Sequence, residues 1–505
     1  MKNSMRAGRS FVFGGGFVVW ILSVGCNHSF IFQNGSGDSD SSSDSALADS
    51  SHSDSDSDSD NDSDSDNDSD SDNDSDSNSG MDGDTDSSAD ELLWKPRVIH
   101  LVDYRGDDQQ SMVRQLAYGD WFDLEGFVLA RSCWSETYED EGLIDTVIDA
   151  YGSVVSNFKV HNAAFPGVDA LRQVSVVGQS VYGMDGVCDD CNSNGSDLIV
   201  AAVDKNDSRP LWVTCWSGCN TLAQALWTVR NTRSANELDA FISKLRVYDI
   251  QGQDDAGAWM TATFPDLFYI RAVSVYSWQP TETWVAENIQ SHGALGAVYL
   301  DRIDAFEGDS PAIFHLIPNG LHDPEQVTQG GWGGRFNSDE MAEVRGMECN
   351  GKLDESNYDP YLMYTDAAES ISRWSEAIHN DFAARMDWSV TGNYGEANHH
   401  PIAVLNGDTG RSVLAVAVSG GGGVELSAAG SNDPDGDALN YFWWVYEEPG
   451  SYIGAVPIQN SAGASTVLTV PDDAAGKSIH VILEITDDGS PPLTSYRRLV
   501  VNVSF

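Results

Sequence analysis

The stretch from Arg97 to Tyr118, RVIHLVDYRGDDQQSMVRQLAY, limits what the rest of the chain can be. Val98, Ile99, Leu101 and Val102 form an apolar run suited to a strand buried on both faces. The run ends in Asp103, Gly106, Asp107 and Asp108. From Gln109 the spacing turns helical, with Met112, Val113 and Leu116 on one side. Strand, acidic turn and helix together open an α/β sheet, where ligands bind just outside the carboxyl ends of the strands. Three carboxylates at one strand end repel each other in a partly dry crevice. A hard cation with oxygen ligands, most simply Ca²⁺, relieves that repulsion. An exposed acidic turn, with Asp107 or Asp108 capping the helix, fits the same spacing.

Composition narrows the partners. The 505 residues have room for two or three domains, and the formal net charge is -52. About twenty of the 79 acidic residues lie in one segment, and the remainder is still strongly acidic. Binding to nucleic acid through phosphates is therefore not expected, nor is docking on anionic headgroups. Lys2, Arg6 and Arg9 precede an apolar run from Phe11 to Val24, the pattern of an export signal and short for a membrane span. The run closes on Leu22-Ser23-Val24-Gly25-Cys26, which resembles the lipobox of bacterial lipoproteins, with Ser23 where Leu is usual. The expectation is an exported protein, lipid-anchored at the bacterial envelope through Cys26 or else secreted. Residues 27–91 are rich in Ser and Asp, with almost nothing apolar to bury, and read as a disordered tether.

The folded part divides by pattern. Phe122–Ala130, Leu198–Val203, Leu211–Trp216, Val247–Ile250, Leu267–Tyr276 and Ala312–Ile317 read as strands. Helical spacing runs through Leu143–Phe158, Thr221–Arg230 and Glu237–Leu245. The alternation predicts a mostly parallel sheet with helices on both faces over residues 92–398. From residue 399 to 505, short alternating runs separated by Gly, Asn, Asp and Pro predict an immunoglobulin-like β-sandwich.

Several smaller features carry chemistry. Gly330-Gly331-Trp332-Gly333-Gly334-Arg335 reads as a flexible loop, with Trp332 to stack on a sugar ring and Arg335 to donate to hydroxyls; packing a lid is the alternative. Asp254, in the group Gln253-Asp254-Asp255, can contact sugar hydroxyls or face solvent in a turn. Cys188-x-x-Cys191 and Cys215-x-x-x-Cys219 fit disulfides better than zinc in an exported chain. Asp433, Asp435 and Asp437 form an acidic loop of the kind that holds Ca²⁺ structurally, with a simple turn as the alternative, and Asp487 and Asp488 lie near another strand end. Trp443 and Trp444 point to opposite faces of a regular strand, so one belongs to the core and the other is free to meet a glycan.

Segments DYRGDDQQSMVRQLAY, CNTLAQALW, SKLRVYDIQGQDDAG, FPDLFYIR, IPNGLHDPE, GGWGGRF and NDFAARMDW resemble the bacterial cellulose-binding proteins whose amino-terminal domain is nucleoside-hydrolase-like and whose carboxyl-terminal domain is sandwich-like. The resemblance spans nearly everything from Lys95 to Phe505. It implies a Ca²⁺ site with Asp103 and Asp108 as ligands and Asp107 as general base. It adds the carbonyl of Cys219, before Asn220 at the substrate, and the pair His322-Asp323, with Asp323 a ligand and His322 the acid. Tyr104 and Arg105 depart from the nucleoside-hydrolase motif. The expected function is binding, with or without glycosidic hydrolysis, of a plant-type polysaccharide or oligosaccharide. A nucleoside N-ribohydrolase, a non-catalytic cellulose-binding protein and a structural surface protein are the alternatives.

Overall fold

The computed structural model describes residues 95–505 apart from 104–105, 136–141, 274, 302–306, 338–347, 350–351, 354–360 and 364–366. The export signal, Cys26 and the Ser/Asp tract lie outside the described residues. The opening apolar run forms β1 (Arg97–Val102), buried at every position. It pairs in parallel with β2 (Asp123–Leu129) and β4 (Leu211–Cys215). The full sheet adds β3 (Ser175–Val177), β5 (Leu245–Ile250), β6 (Phe268–Ala272), β7 (Phe336–Asn337) and β10 (Tyr361–Met363), in the order β3-β2-β1-β4-β5-β6-β10-β7. Among the described residues of this sheet, only the edge pair β10 and β7 is antiparallel. A separate two-stranded hairpin joins β8 (Glu348–Cys349) to β9 (Lys352–Leu353).

Alternate residues of β1 feed two different cores. Val98 and Val102 pack with Met112, Val113 and Leu116, whereas Ile99 and Leu101 pack with Leu222, Ala223 and Leu226. Helices therefore cover both faces, and a continuous apolar run results because neither face meets water. The chain winds outward in both directions from β1 and β4. In such sheets the ligand crevice lies at the carboxyl ends of the strands where the winding reverses, which here are β1 and β4.

Two runs expected as strands are helices. Leu198–Val203 lies in the helix Asn194–Asp204, and Ala312–Ile317 overlaps a helix at Ser310–Phe314. Short apolar runs do not reveal their period, and the caps decide. The Ser193 hydroxyl accepts the Ser196 N–H at 3.2 Å, and Pro311 sits in the first turn of the second helix.

The carboxyl-terminal region is all β. One sheet has the order β11-β16-β15-β13, with β11 (Leu414–Ser419), β13 (Asn440–Tyr446), β15 (Ser478–Thr486) and β16 (Thr494–Ser504). The second pairs β12 (Gly423–Ser427) with β14 (Ser465–Thr469). Val424, Leu426, Trp443, Leu468, Val481, Leu483 and Val501 fill the space between the sheets. Part of the outer face of the larger sheet is buried too. Tyr446, Ile482 and Tyr496 join the core of the α/β domain, with Trp444 packed against it. Trp443 and Trp444 do face opposite ways; Trp443 is buried between the sheets and Trp444 is half-buried against the α/β core. No described helix is long and apolar enough to cross a membrane.

Candidate functional site

The acids after β1 converge. Asp103 is fully buried, and its carboxylate accepts the hydroxyls of Ser132 and of Ser135, the latter at 3.2 Å. Its N–H donates to Asp108 Oδ1 at 2.9 Å. Helix α1 (Gly106–Ala117) begins at this point, so Asp107 and Asp108 occupy its first turn, where the helix dipole favours anions. Burial, then the charges of Asp103, Asp309 and Asp107, push the Asp108 carboxyl well above the ordinary range.

The fourth acid, Asp309, is one that sequence reasoning missed. Carboxylate oxygens of Asp107, Asp108 and Asp309 all lie within 4.8 Å of one another. Side chains of α1 position it. Gln110 Oε1 accepts the Glu307 N–H at 2.6 Å. Arg114 holds the Glu307 carboxylate through both Nε and Nη2, the second at 3.0 Å. Ser310 Oγ donates to Glu307 Oε1 at 2.6 Å and lies 3.1 Å from Ser111 Oγ. The guanidinium of Arg114 lies 3.8 Å from the Phe382 ring centroid. The motif after β1 thus supplies two acids and the clamp that brings in a third. Asp309-Ser310-Pro311 is a helix-start signature, and that signal was available in the sequence.

Other expected members lie elsewhere. Asp323 and His322 line a cavity with Lys95, Pro96, Arg209 and Pro210. Those residues precede β1 and β4, so the cavity is at the amino edge of the sheet, opposite Asp103. Asp323 therefore does not join the acids, and His322 is not placed to protonate a leaving group there. His322 is buried, and burial followed by His315 and Arg498 keeps its imidazole well below the ordinary value. The Cys219 carbonyl accepts the Ala223 N–H at 3.0 Å, in the first turn of α2 (Asn220–Thr232). It is engaged inside the helix. Arg105 lies outside the described residues.

Asp254 and Asn220 belong to one structural device. Asp254 is buried and accepts the N–H groups of Asn220 at 2.9 Å and Ala256 at 3.0 Å. It caps α2 from a neighbouring strand end, which replaces the expected sugar contact. Burial pushes its carboxyl up to about 8, with Asp249 and Asp255 adding to the rise. Asn220 Nδ2 donates to the Val181 carbonyl at 2.7 Å.

Trp332 and Arg335 are also reassigned. Trp332 is 1% exposed and meets Tyr496 of β16 edge-on, with centroids 6.1 Å apart. Arg335 is buried, with Nη1 3.3 Å from the Glu448 carbonyl. Both fill the junction between the domains. The exposed aromatics near the acids are different residues. Trp134 is 39% exposed, and its N–H donates to the Ser132 hydroxyl that holds Asp103. Tyr276 is 47% exposed and lies against Gly308, next to Asp309. Four of the cysteines form the bridges Cys188–Cys191 and Cys215–Cys219, and Cys133 is disulfide-bonded as well.

The family described as the cellulose-binding Sde182 nucleoside hydrolase-like domain matches residues 97–336. That described as the carboxyl-terminal domain of cellulose-binding protein Sde0182 matches residues 423–503. A solved structure from Saccharophagus degradans, a nucleoside hydrolase-related hypothetical protein associated with carbohydrate metabolism, is 50% identical. The match covers 81% of this chain and 100% of that one, with a TM-score of 0.78. This chain belongs to the Sde182 family. The nucleoside-hydrolase-like sheet and the sandwich are thus the two halves of an Sde182-type protein. A PKD domain of KIAA 1837 protein is 13% identical over 18% of this chain and 81% of its own, with a TM-score of 0.15. Human CDH23 EC21-23 is 15% identical over 21% and 35%, with a TM-score of 0.16. Neither adds to the argument for an Sde182 chain. No curated protein matches it.

Proposed function

We propose that this chain binds a cellulose-type polysaccharide across the carboxyl rim of its parallel sheet, at a crevice that holds a Ca²⁺-type cation. The observation that carries the proposal is the convergence of Asp107, Asp108 and Asp309 where the sheet reverses its winding. The donor set is all carboxylate oxygen, and two of the three acids are buried, which suits a hard cation. When bound, such an ion supplies coordination to paired sugar hydroxyls. Trp134 and Tyr276 flank the acids and offer exposed rings to the apolar faces of a glucan. Membership of a family of cellulose-binding proteins supports the substrate class.

Binding is favoured over cleavage because the expected acid–base pair is split. Asp107 belongs to the crevice, whereas His322 is at the far edge of the sheet. The same split weighs against a nucleoside N-ribohydrolase that uses His322. We also read the chain as exported and displayed on a lipid-anchored tether, a reading supported by the signal-like residues 1–26 and by the disulfides.

Retention on insoluble cellulose tests the assignment. Trp134→Ala and Tyr276→Ala should each weaken retention about tenfold, the effect of roughly 1.4 kcal/mol. Asp108→Asn should abolish any Ca²⁺-dependent part. Unchanged retention in all three variants sinks the proposal. Release of sugar or of free base that disappears in Asp107→Asn replaces binding with hydrolysis.

A further inference from the structure

A second acidic group lies in the sandwich. Asp433, Asp435 and Asp437 alternate along the loop ahead of β13, with carboxylate oxygens within 4.8 Å of one another. Asp433 Oδ1 accepts the N–H groups of Asp435 at 2.8 Å and Asp437 at 3.2 Å. Those bonds alone describe an ordinary turn. The neighbouring turn after β15 adds an independent feature. Asp487 is 1% exposed, and its Oδ1 accepts from Asn398 Nδ2 and from the N–H groups of Gly489 and Leu493, each at 3.0 Å. Its Oδ2 is buried with no hydrogen-bond partner among the described residues, as is Asp433 Oδ2. Asn398 donates to Asp487, and the next residue, His399, donates its N–H to Asp435 Oδ2 at 2.7 Å, so one short segment holds the two acidic turns side by side. Asp488 Oδ1 accepts the Ala438 N–H at 2.7 Å and ties the two loops together. Buried carboxylate oxygens that no donor satisfies are costly, and a cation is the group that satisfies several at once.

We propose that Asp433, Asp435, Asp437 and Asp487 form a Ca²⁺ site in the carboxyl-terminal domain, distinct from the crevice, and that the ion fastens this domain to the α/β domain. Ca²⁺ takes six to eight oxygens in flexible geometry, which suits loop carboxylates better than the strict octahedron of Mg²⁺. The fastening follows from what grips the acids. His399 donates its N–H to Asp435 Oδ2 at 2.7 Å, with Nδ1 3.0 Å from both oxygens. Asn398 donates to Asp487. On the other side, Trp388 Nε1 donates to the Asn398 carbonyl at 2.8 Å, and His161 Nδ1 is 3.0 Å from His399 Nε2. An ion that fixes Asp435 and Asp487 therefore fixes the two residues that join the domains.

Calcium titration of the full chain by calorimetry, paired with melting curves, tests this. Asp433→Asn keeps the Oδ1 acceptor of the loop and loses a negative charge. It should bind one Ca²⁺ fewer per chain than wild type. At Ca²⁺ a hundred times Kd, wild type should gain about 100-fold in folding equilibrium, and the variant should lose that gain. Cleavage by added protease between residues 391 and 399 should slow with Ca²⁺ in wild type only. Asp108→Asn loses the crevice ion instead and should keep the Ca²⁺-dependent slowing of cleavage between residues 391 and 399, which separates this site from the crevice. Weak binding by the Ser/Asp tract is common to every variant and cancels. Equal stoichiometry in wild type and Asp433→Asn, or the same Ca²⁺-induced shift in both, overturns the proposal. Asp437→Asn repeats the test if Asp433→Asn fails to fold.

Discussion

At the residue scale, the crevice depends on a buried ion pair that touches no ligand. Arg114 and Glu307 are both almost fully buried, and their contact sets the segment that carries Asp309. Removing one partner leaves an uncompensated buried charge. Arg114→Met should therefore cost about 3–5 kcal/mol in denaturant unfolding. The same variant should weaken Ca²⁺ binding at the crevice, because Asp309 loses its support. Asp323→Asn should change neither, since Asp323 lies at the amino edge of the sheet. Calorimetric affinity and unfolding midpoints for the two variants check this pair of outcomes, and equal effects would refute the placement of Asp309. Asp103, Asp107 and Asp108 were legible because they share one turn with a strand end before it and a helix after it. Asp309 was hidden because its partnership is made in space. Ser111 and Ser310, which meet beside it, are 199 residues apart in the chain. His322-Asp323 has the right letters in the wrong place.

At the element scale, the Gly-rich loop from Gly330 to Arg335 is packing rather than lid. A Cβ on Gly331 would fall 2.3 Å from His322 Nδ1, and one on Gly333 would fall 2.5 Å from the backbone nitrogen of His315. The glycines are there to let the loop lie directly on the two histidines. Trp332 then fills the gap beneath β16. Trp332→Ala should cost about 3–5 kcal/mol, as large buried truncations do. Per folded molecule, its retention on cellulose should equal that of wild type. Gly333→Ala should destabilise by roughly 1–3 kcal/mol, because rigid backbone cannot yield. A selective loss of retention in Trp332→Ala, with stability intact, would restore the glycan platform. The sequence showed the strands of both domains well, since alternation and apolar runs are local. It did not show that part of the outer face of the larger sandwich sheet is buried. Trp444 and Tyr446 look like exposed aromatics until a second domain is laid over them.

At the scale of the whole molecule, the junction between the domains is built around buried cationic and titratable groups, Arg498 and His480 among them. Arg498, on β16, donates to the carbonyls of Gln329 at 2.8 Å and Gly330 at 2.9 Å, and burial lowers its guanidinium to about 9. His480, on β15, has Nδ1 3.4 Å from Arg498 Nη1. Burial first, then Arg498, pushes the His480 imidazole down to about 4. The unfolded chain holds the same histidine near 6.5, so it binds a proton before the folded chain does. Stability from this group is therefore complete above about 6.5 and is lost as pH falls toward 4, with a slope of up to about 1.4 kcal/mol per pH unit. His480→Gln removes the titration and keeps a polar side chain of similar reach. Other groups, including the raised Asp108 and Asp254, titrate alike in both proteins and cancel in the difference. Between pH 7.5 and 4.5, wild type should lose roughly 2 kcal/mol relative to His480→Gln, measured by denaturant unfolding across the series. Parallel curves for the two proteins would mean that His480 stays open to water. In that case the domains do not close over it, and the junction that aligns the sandwich with the crevice is looser than its packing implies.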